Sequence, residues 1–93
     1  MNLNVAIVDD HPLVLEGLKS LLLQTKGIEH IYTAQTGSHL GSLIALHSIH
    51  LYIIDLDLPD IDGFELIHQI KQKSPEAKII ISTCTRKSGL STN

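Results

Sequence analysis

The sequence predicts an α/β domain, a doubly wound parallel sheet with helices on both faces, and three observations predict it. Apolar runs of two kinds alternate along the chain. Some are short, unbroken and rich in Ile and Val; in the others Leu and Ile recur at helical spacing. The unbroken runs have the composition of strands buried on both faces, which is the condition of strands inside a parallel sheet. Finally, 93 residues, 43% of them hydrophobic and 18% charged, suffice for one small core and leave no room for a second domain.

Residues 3 to 8 form the first unbroken run, which stops at the polar edge Asp9-Asp10. His11 and Pro12 follow, and proline is tolerated in a first helical turn because its missing amide has no partner there anyway. From that point Val14, Leu15, Leu18, Leu21 and Leu22 recur at helical spacing until Gly27 supplies a stop. Residues 28 to 34 alternate imperfectly and read as a shorter second strand. Ser38 is placed to cap a second helix reaching about His47, with Leu40, Leu43, Ile44 and Leu46 on its buried side. Residues 51 to 54 make the third strand and deliver Asp55. After the loop at residues 56 to 63, a helix starting at about Phe64 carries Phe64, Ile67 and Ile70 inward and runs to Lys73, where Ser74-Pro75 breaks it. Residues 78 to 82 give the fourth strand, ending at Ser82-Thr83. Such alternation requires right-handed crossovers between parallel strands. The folded domain is expected over residues 1 to 85, and residues 86 to 93, small and polar without period, are expected to fray.

Seven Lys plus Arg against ten Asp plus Glu leave a net charge of −3, which argues against a footprint for nucleic acid or anionic lipid. A single cysteine, Cys84, cannot form an internal disulfide, and no Cys/His ladder suggests structural zinc, so a reducing cytoplasm is the expected setting. Met1-Asn2-Leu3-Asn4 lacks the basic region of an export signal, and the apolar runs fall far short of the ~20 residues that a membrane span requires. The six histidines are dispersed. His47 and His50, with no acid or thiol beside them, read as surface or half-buried helix residues, and His11 reads as a solvent-exposed helix start.

In an open parallel sheet the functional crevice lies outside the carboxyl ends of the strands, where the strand order reverses. Asp9 and Asp10 end the first strand, Asp55 the third, and Thr83 follows the fourth. Carboxylates gathered there repel one another, and a hard divalent cation is a usual remedy. Oxygen ligands without His or Cys favour Mg²⁺. A single acid at a strand end would mean only that polar residues face water; a pair plus a third at inner strand ends points to a site.

Val8-Asp9-Asp10-His11-Pro12, Ile53-Ile54-Asp55-Leu56-Asp57-Leu58-Pro59, Asp62-Gly63 and Ile79-Ile80-Ile81-Ser82-Thr83 together resemble the receiver domain of bacterial two-component response regulators. The Asp-Asp-His-Pro start is most like the subgroup that carries a helix-turn-helix output domain. The resemblance covers residues 3 to 85 and implies a flavodoxin-like receiver fold in strand order 2-1-3-4. It also implies a role in a phosphorelay. Asp55 matches the phosphoacceptor, which takes a phosphoryl group from a sensor histidine kinase or phosphotransfer protein. Asp10 matches the direct Mg²⁺ ligand, Asp9 its neighbour in the acidic pocket, and Asp57 the residue whose backbone carbonyl completes the metal site. Thr83 matches the switch hydroxyl that turns to the new phosphoryl group. Phosphoryl transfer asks a protein mainly for positioning and charge neutralisation, which suits these roles. Pro59 and Gly63 shape the loop after Asp55 instead.

The chain departs from the family at two points. The family has a fifth strand ending in a lysine that pairs with the phosphoryl group, whereas residues 84 to 93 are too few to supply one, so a truncated receiver is expected. Lys87 lies too soon after Thr83 to substitute, and losing one preorganised donor from such a site costs on the order of a hundred- to a thousandfold in rate. Without a fifth strand the fourth becomes an apolar edge, and self-association through it is expected. The second departure is Asp57, where many relatives have an uncharged polar residue; another carboxylate should favour the metal and disfavour the phosphoryl group. Two rival readings accompany the signalling one. A regulator that cannot be phosphorylated would serve as an interaction or dimerisation module. Asp55-Leu56-Asp57 also resembles the Asp-x-Asp of haloacid-dehalogenase-type phosphatases, but that reading leaves Asp9-Asp10 unexplained, and the chain is expected not to be an enzyme.

Overall fold

The computed structural model describes residues 2 to 82. Strands β1 (Leu3–Val8), β2 (Ile28–Ala34), β3 (Leu51–Ile54) and β4 (Lys78–Ile81) alternate with helices α1 (Pro12–Leu23), α2 (Gly37–Leu46) and α3 (Gly63–Lys73). The strands pair in parallel in the order β2-β1-β3-β4. The expected doubly wound order is therefore present, and each parallel pairing is bridged by a helix, as the crossover rule demands.

Alternation along the two inner strands divides the core. Val5 and Ile7 of β1 and Ile53 of β3 face α1, where Leu15, Leu18 and Leu22 meet them. Ala6, Val8, Tyr52 and Ile54 face the other way, against Leu40 of α2 and Leu66 and Ile70 of α3. Residues Val5 to Val8 are all fully buried, which explains why β1 reads as an unbroken apolar run rather than an alternating one. No helix among the described residues is long and apolar enough to cross a membrane.

Two expectations about helix faces, Leu46 and Phe64, need correction, and Leu21 of the helically spaced set also points outward. Leu21, Leu46 and Phe64 are 64%, 77% and 62% exposed. In α3 the inward residues are Leu66 and Ile70, and Phe64 lies two positions before Leu66, on the opposite side of the helix. Leu21 and Leu46 lie beside the stripes set by Leu15–Leu18–Leu22 and Leu40–Leu43–Ile44, not on them. The cap of α2 is also two residues earlier than expected. Thr36, not Ser38, has the extended backbone of a cap, and its side chain accepts from His39 N. Helix α1 ends at Leu23 with Gln24 as its cap, four residues before the Gly27 expected to stop it; Gly27 instead shapes the turn into β2 with a φ of 91°, a conformation that glycine reaches without strain. Residues 86 to 93, expected to fray, lie outside the described residues, as do Cys84 and Lys87.

Candidate functional site

Strand register fixes the site. Val8 of β1 pairs with Ile54 of β3, and Ile54 with Ile81 of β4, so the three strands end level. The ladder runs one residue further. Asp9 N donates to Ala34 O at 3.0 Å, Asp55 N to Val8 O at 2.9 Å and Ser82 N to Ile54 O at 2.9 Å. The backbones of Asp9 and Asp55 are thus held at the lip of the sheet, and both side chains are buried, at 2% and 1% exposure. Burying two carboxylates side by side is costly unless each finds donors or a cation.

The neighbouring groups supply part of that compensation. Asp9 Oδ1 accepts from the His11 backbone amide at 2.9 Å and lies 2.7 Å from His11 Nδ1. Asp55 Oδ1 accepts from the Asp57 amide at 3.1 Å. Asp10 Oδ1 is buried and makes no hydrogen bond, although His11 Nδ1 is only 2.9 Å away. One ligand atom from each of Asp9, Asp10, His11 and Asp55 can be chosen so that all four lie within 4.8 Å of one another. The donor set fits a hard divalent cation: carboxylate oxygens predominate, two acids are buried, and one buried oxygen on Asp10 still lacks a donor.

Asp9, Asp10 and Asp55, separated in sequence, are therefore brought together as expected. Asp57 adjoins them through its amide and pairs with Asp62 in an isolated antiparallel bridge that closes the loop. Thr83 lies outside the described residues. His11 requires a correction. It is the first residue before α1, but its side chain does not cap the helix; it turns into the acidic cluster and is 36% exposed. The attraction of two carboxylates outweighs the preference of a helix-start residue for water.

The loop after Asp55 is held by contacts that sequence reasoning missed. Asp60 accepts from Gly37 N at 2.9 Å and Ser38 N at 3.0 Å, the first two amides of α2, which have no partner within the helix. Those two backbone bonds hold the Asp60 carboxyl below the usual aspartate range. Asp62 caps α3 by accepting from Phe64 N at 3.1 Å, a signal that Asp62-Gly63 before an apolar helix did carry in the sequence. Nothing local marked Asp60, because its partners are 22 and 23 positions away.

Comparison with known proteins agrees with this geometry. A family model described as the response regulator receiver domain matches residues 5–92. The chain is 31% identical over 81 residues to the response regulator UvrY of Escherichia coli (strain K12), covering 87% of this chain and 37% of the relative. It is 34% identical over 85 residues to the transcriptional regulatory protein RcsB of the same strain, covering 88% of this chain and 39% of that one. The isolated receiver domain of RcsB from Salmonella enterica serovar Typhimurium, solved with the phosphomimetic BeF3⁻, superposes with a TM-score of 0.83 at 34% identity, over 89% of this chain and 62% of that one. The chain thus spans less than two fifths of the curated UvrY and RcsB relatives, in which a longer protein carries the matching segment. A four-stranded sheet in receiver order, an acidic crevice at its carboxyl edge and a match over nearly the whole sequence lead to one conclusion: the chain belongs to the response regulator receiver domain family.

Proposed function

We propose that this chain is a phosphoacceptor module of a two-component phosphorelay, working in the cytoplasm, in which Asp55 takes a phosphoryl group from a phosphohistidine on a sensor kinase or phosphotransfer protein. The observation that carries the reading is a buried Asp55 carboxylate at the end of an inner strand, beside two further acids delivered by the adjacent strand. A carboxylate oxygen of Asp55 attacks phosphorus as the phosphorus–nitrogen bond of the donor breaks. The imidazole nitrogen keeps the electron pair and takes up a proton from solvent. Asp55 is held for that attack by the Asp57 amide on its other oxygen, so little rotation is left to freeze during reaction. Asp10 and Asp55 would hold Mg²⁺, with Asp9 reaching it through water and the Asp57 carbonyl completing the set. When bound, the ion offsets the repulsion between an anionic nucleophile and an anionic donor. Thr83 is proposed as the hydroxyl that receives the phosphoryl oxygen.

A second role rests on β4, which has a strand neighbour on one side only among the described residues and carries Ile80 and Ile81 at 51% and 41% exposure. An open apolar edge of this kind supports self-association of the 93-residue chain. The names of the relatives mark them as regulators of transcription, and the module is proposed to act upstream of such an output, without contacting nucleic acid itself.

The experiment is to incubate the protein with Mg²⁺ and a small acyl phosphate or phosphoramidate and to weigh it. A mass increase of one phosphoryl group that disappears in Asp55→Asn is the expected result. No increase would instead support the inert interaction module, and steady turnover of a simple phosphomonoester would point to a phosphatase.

A further inference from the structure

His11 is the one described nitrogen ligand in an otherwise oxygen-only cluster, and its position has a consequence for metal entry. Its Nδ1 lies 2.7 Å from Asp9 Oδ1, 2.9 Å from Asp10 Oδ1 and 3.9 Å from Asp55 Oδ2. A carboxylate oxygen accepts, so the ring nitrogen at 2.7 Å donates through Nδ1. That hydrogen points into the space on which the three carboxylates converge. Mg²⁺ requires oxygens at about 2.0–2.1 Å in octahedral array and discriminates against imidazole, so an N–H directed among these oxygens competes with it for the same lone pairs and the same space.

We infer that His11 is a displaceable internal donor: its Nδ1–H is bonded to Asp9 and stands 2.9 Å from the otherwise unpartnered Asp10 Oδ1 in the metal-free protein, and it must turn away when Mg²⁺ binds, so the residue sets the metal affinity of the site. Two features make the exchange feasible. The ring is 36% exposed, which leaves an open side toward which it can turn. The backbone amide of His11 separately donates to Asp9 Oδ1 at 2.9 Å, so the main chain and the Asp9 carboxylate stay in register after the ring departs. The inference rests on the metal site proposed above and adds that this particular residue opposes it.

The test is an Mg²⁺ titration of the 93-residue protein and of His11→Ala at one fixed pH, followed by amide ¹H–¹⁵N shifts around Asp9 and Asp10. Removing one charge-assisted hydrogen bond that competes with the metal should tighten Mg²⁺ binding by about tenfold. The wild-type ring provides a readout independent of any variant: its Nδ1 resonance should lose the signature of a hydrogen-bonded N–H along the same Mg²⁺ isotherm. Weaker binding in His11→Ala would make His11 a ligand, and equal midpoints in the two proteins would make it a bystander; either result overturns the inference while leaving the metal site standing. No Mg²⁺-dependent shift in either protein would overturn the metal site, and the inference with it.

Discussion

Replacing Gly63 with alanine tests the packing that holds the loop beside Asp55. Gly63 is the first residue of α3, and its amide donates to Leu56 O at 3.2 Å. A Cβ built there would fall against the Leu56 backbone at Cα, with Leu56 Cδ2 at 2.7 Å and Leu56 O at 3.0 Å. A side-chain end could rotate away, but a backbone atom next to Asp55 cannot move without moving the site. Overpacking of this kind costs about 1–3 kcal/mol. The alanine recovers some of that by lowering the entropy of the unfolded chain, by roughly 0.5–1 kcal/mol. A net loss of up to about 2.5 kcal/mol remains, which in a domain of this size lowers the melting temperature by up to roughly 20 °C. Gly17→Ala is the internal control, since Gly17 lies exposed on α1 and a Cβ there meets nothing within 4 Å. That change should stabilise by about 0.5–1 kcal/mol. Thermal unfolding of both variants, followed by far-ultraviolet circular dichroism, decides the matter. Gly63→Ala melting at or above Gly17→Ala would refute the close-approach argument. Phosphoryl labelling of Gly63→Ala should also slow relative to Gly17→Ala, because Leu56 adjoins Asp55.

The remaining expectations follow from individual contacts. The Asp60 carboxyl titrates below its ordinary range because of the Gly37 and Ser38 amides, so the unfolded chain holds the proton more readily than the folded one. Its contribution to stability is whole above the unfolded-chain value and is lost as pH falls through the lowered folded value; Asp60→Asn should therefore unfold more easily than wild type in urea at neutral pH, with the gap closing in acid. Ile80→Lys places a charge on the exposed β4 edge, and light scattering should show it shifting the 93-residue chain toward monomer; a wild-type protein already monomeric would remove the case for edge association.

How much was legible in the sequence differed by kind of feature. The bounds of β1, β2 and β3 coincide with those expected, because each is a local apolar run closed by Asp, Gly or a polar loop. That Asp9, Asp10 and Asp55 meet was legible for a related reason. Each lies within two residues of the end of an inner strand, and parallel strands that end level bring such residues to one edge. Helix faces were less legible: the Leu-rich helices offer several apolar stripes, and only contact with the sheet chooses among them, leaving Leu21, Leu46 and Phe64 outside.

By itself, then, the sequence determined the order and kind of the elements and the acids at the strand ends, since those depend on neighbours within a few residues. Tertiary structure alone decided what those acids meet. The turn of His11 into the carboxylates, the grip of Asp60 on the start of α2 and the seating of Gly63 on Leu56 all join groups whose attraction or close fit exists only after the sheet has assembled. Electrostatic and steric forces act through space, and no periodicity along a chain encodes a distance across a crevice.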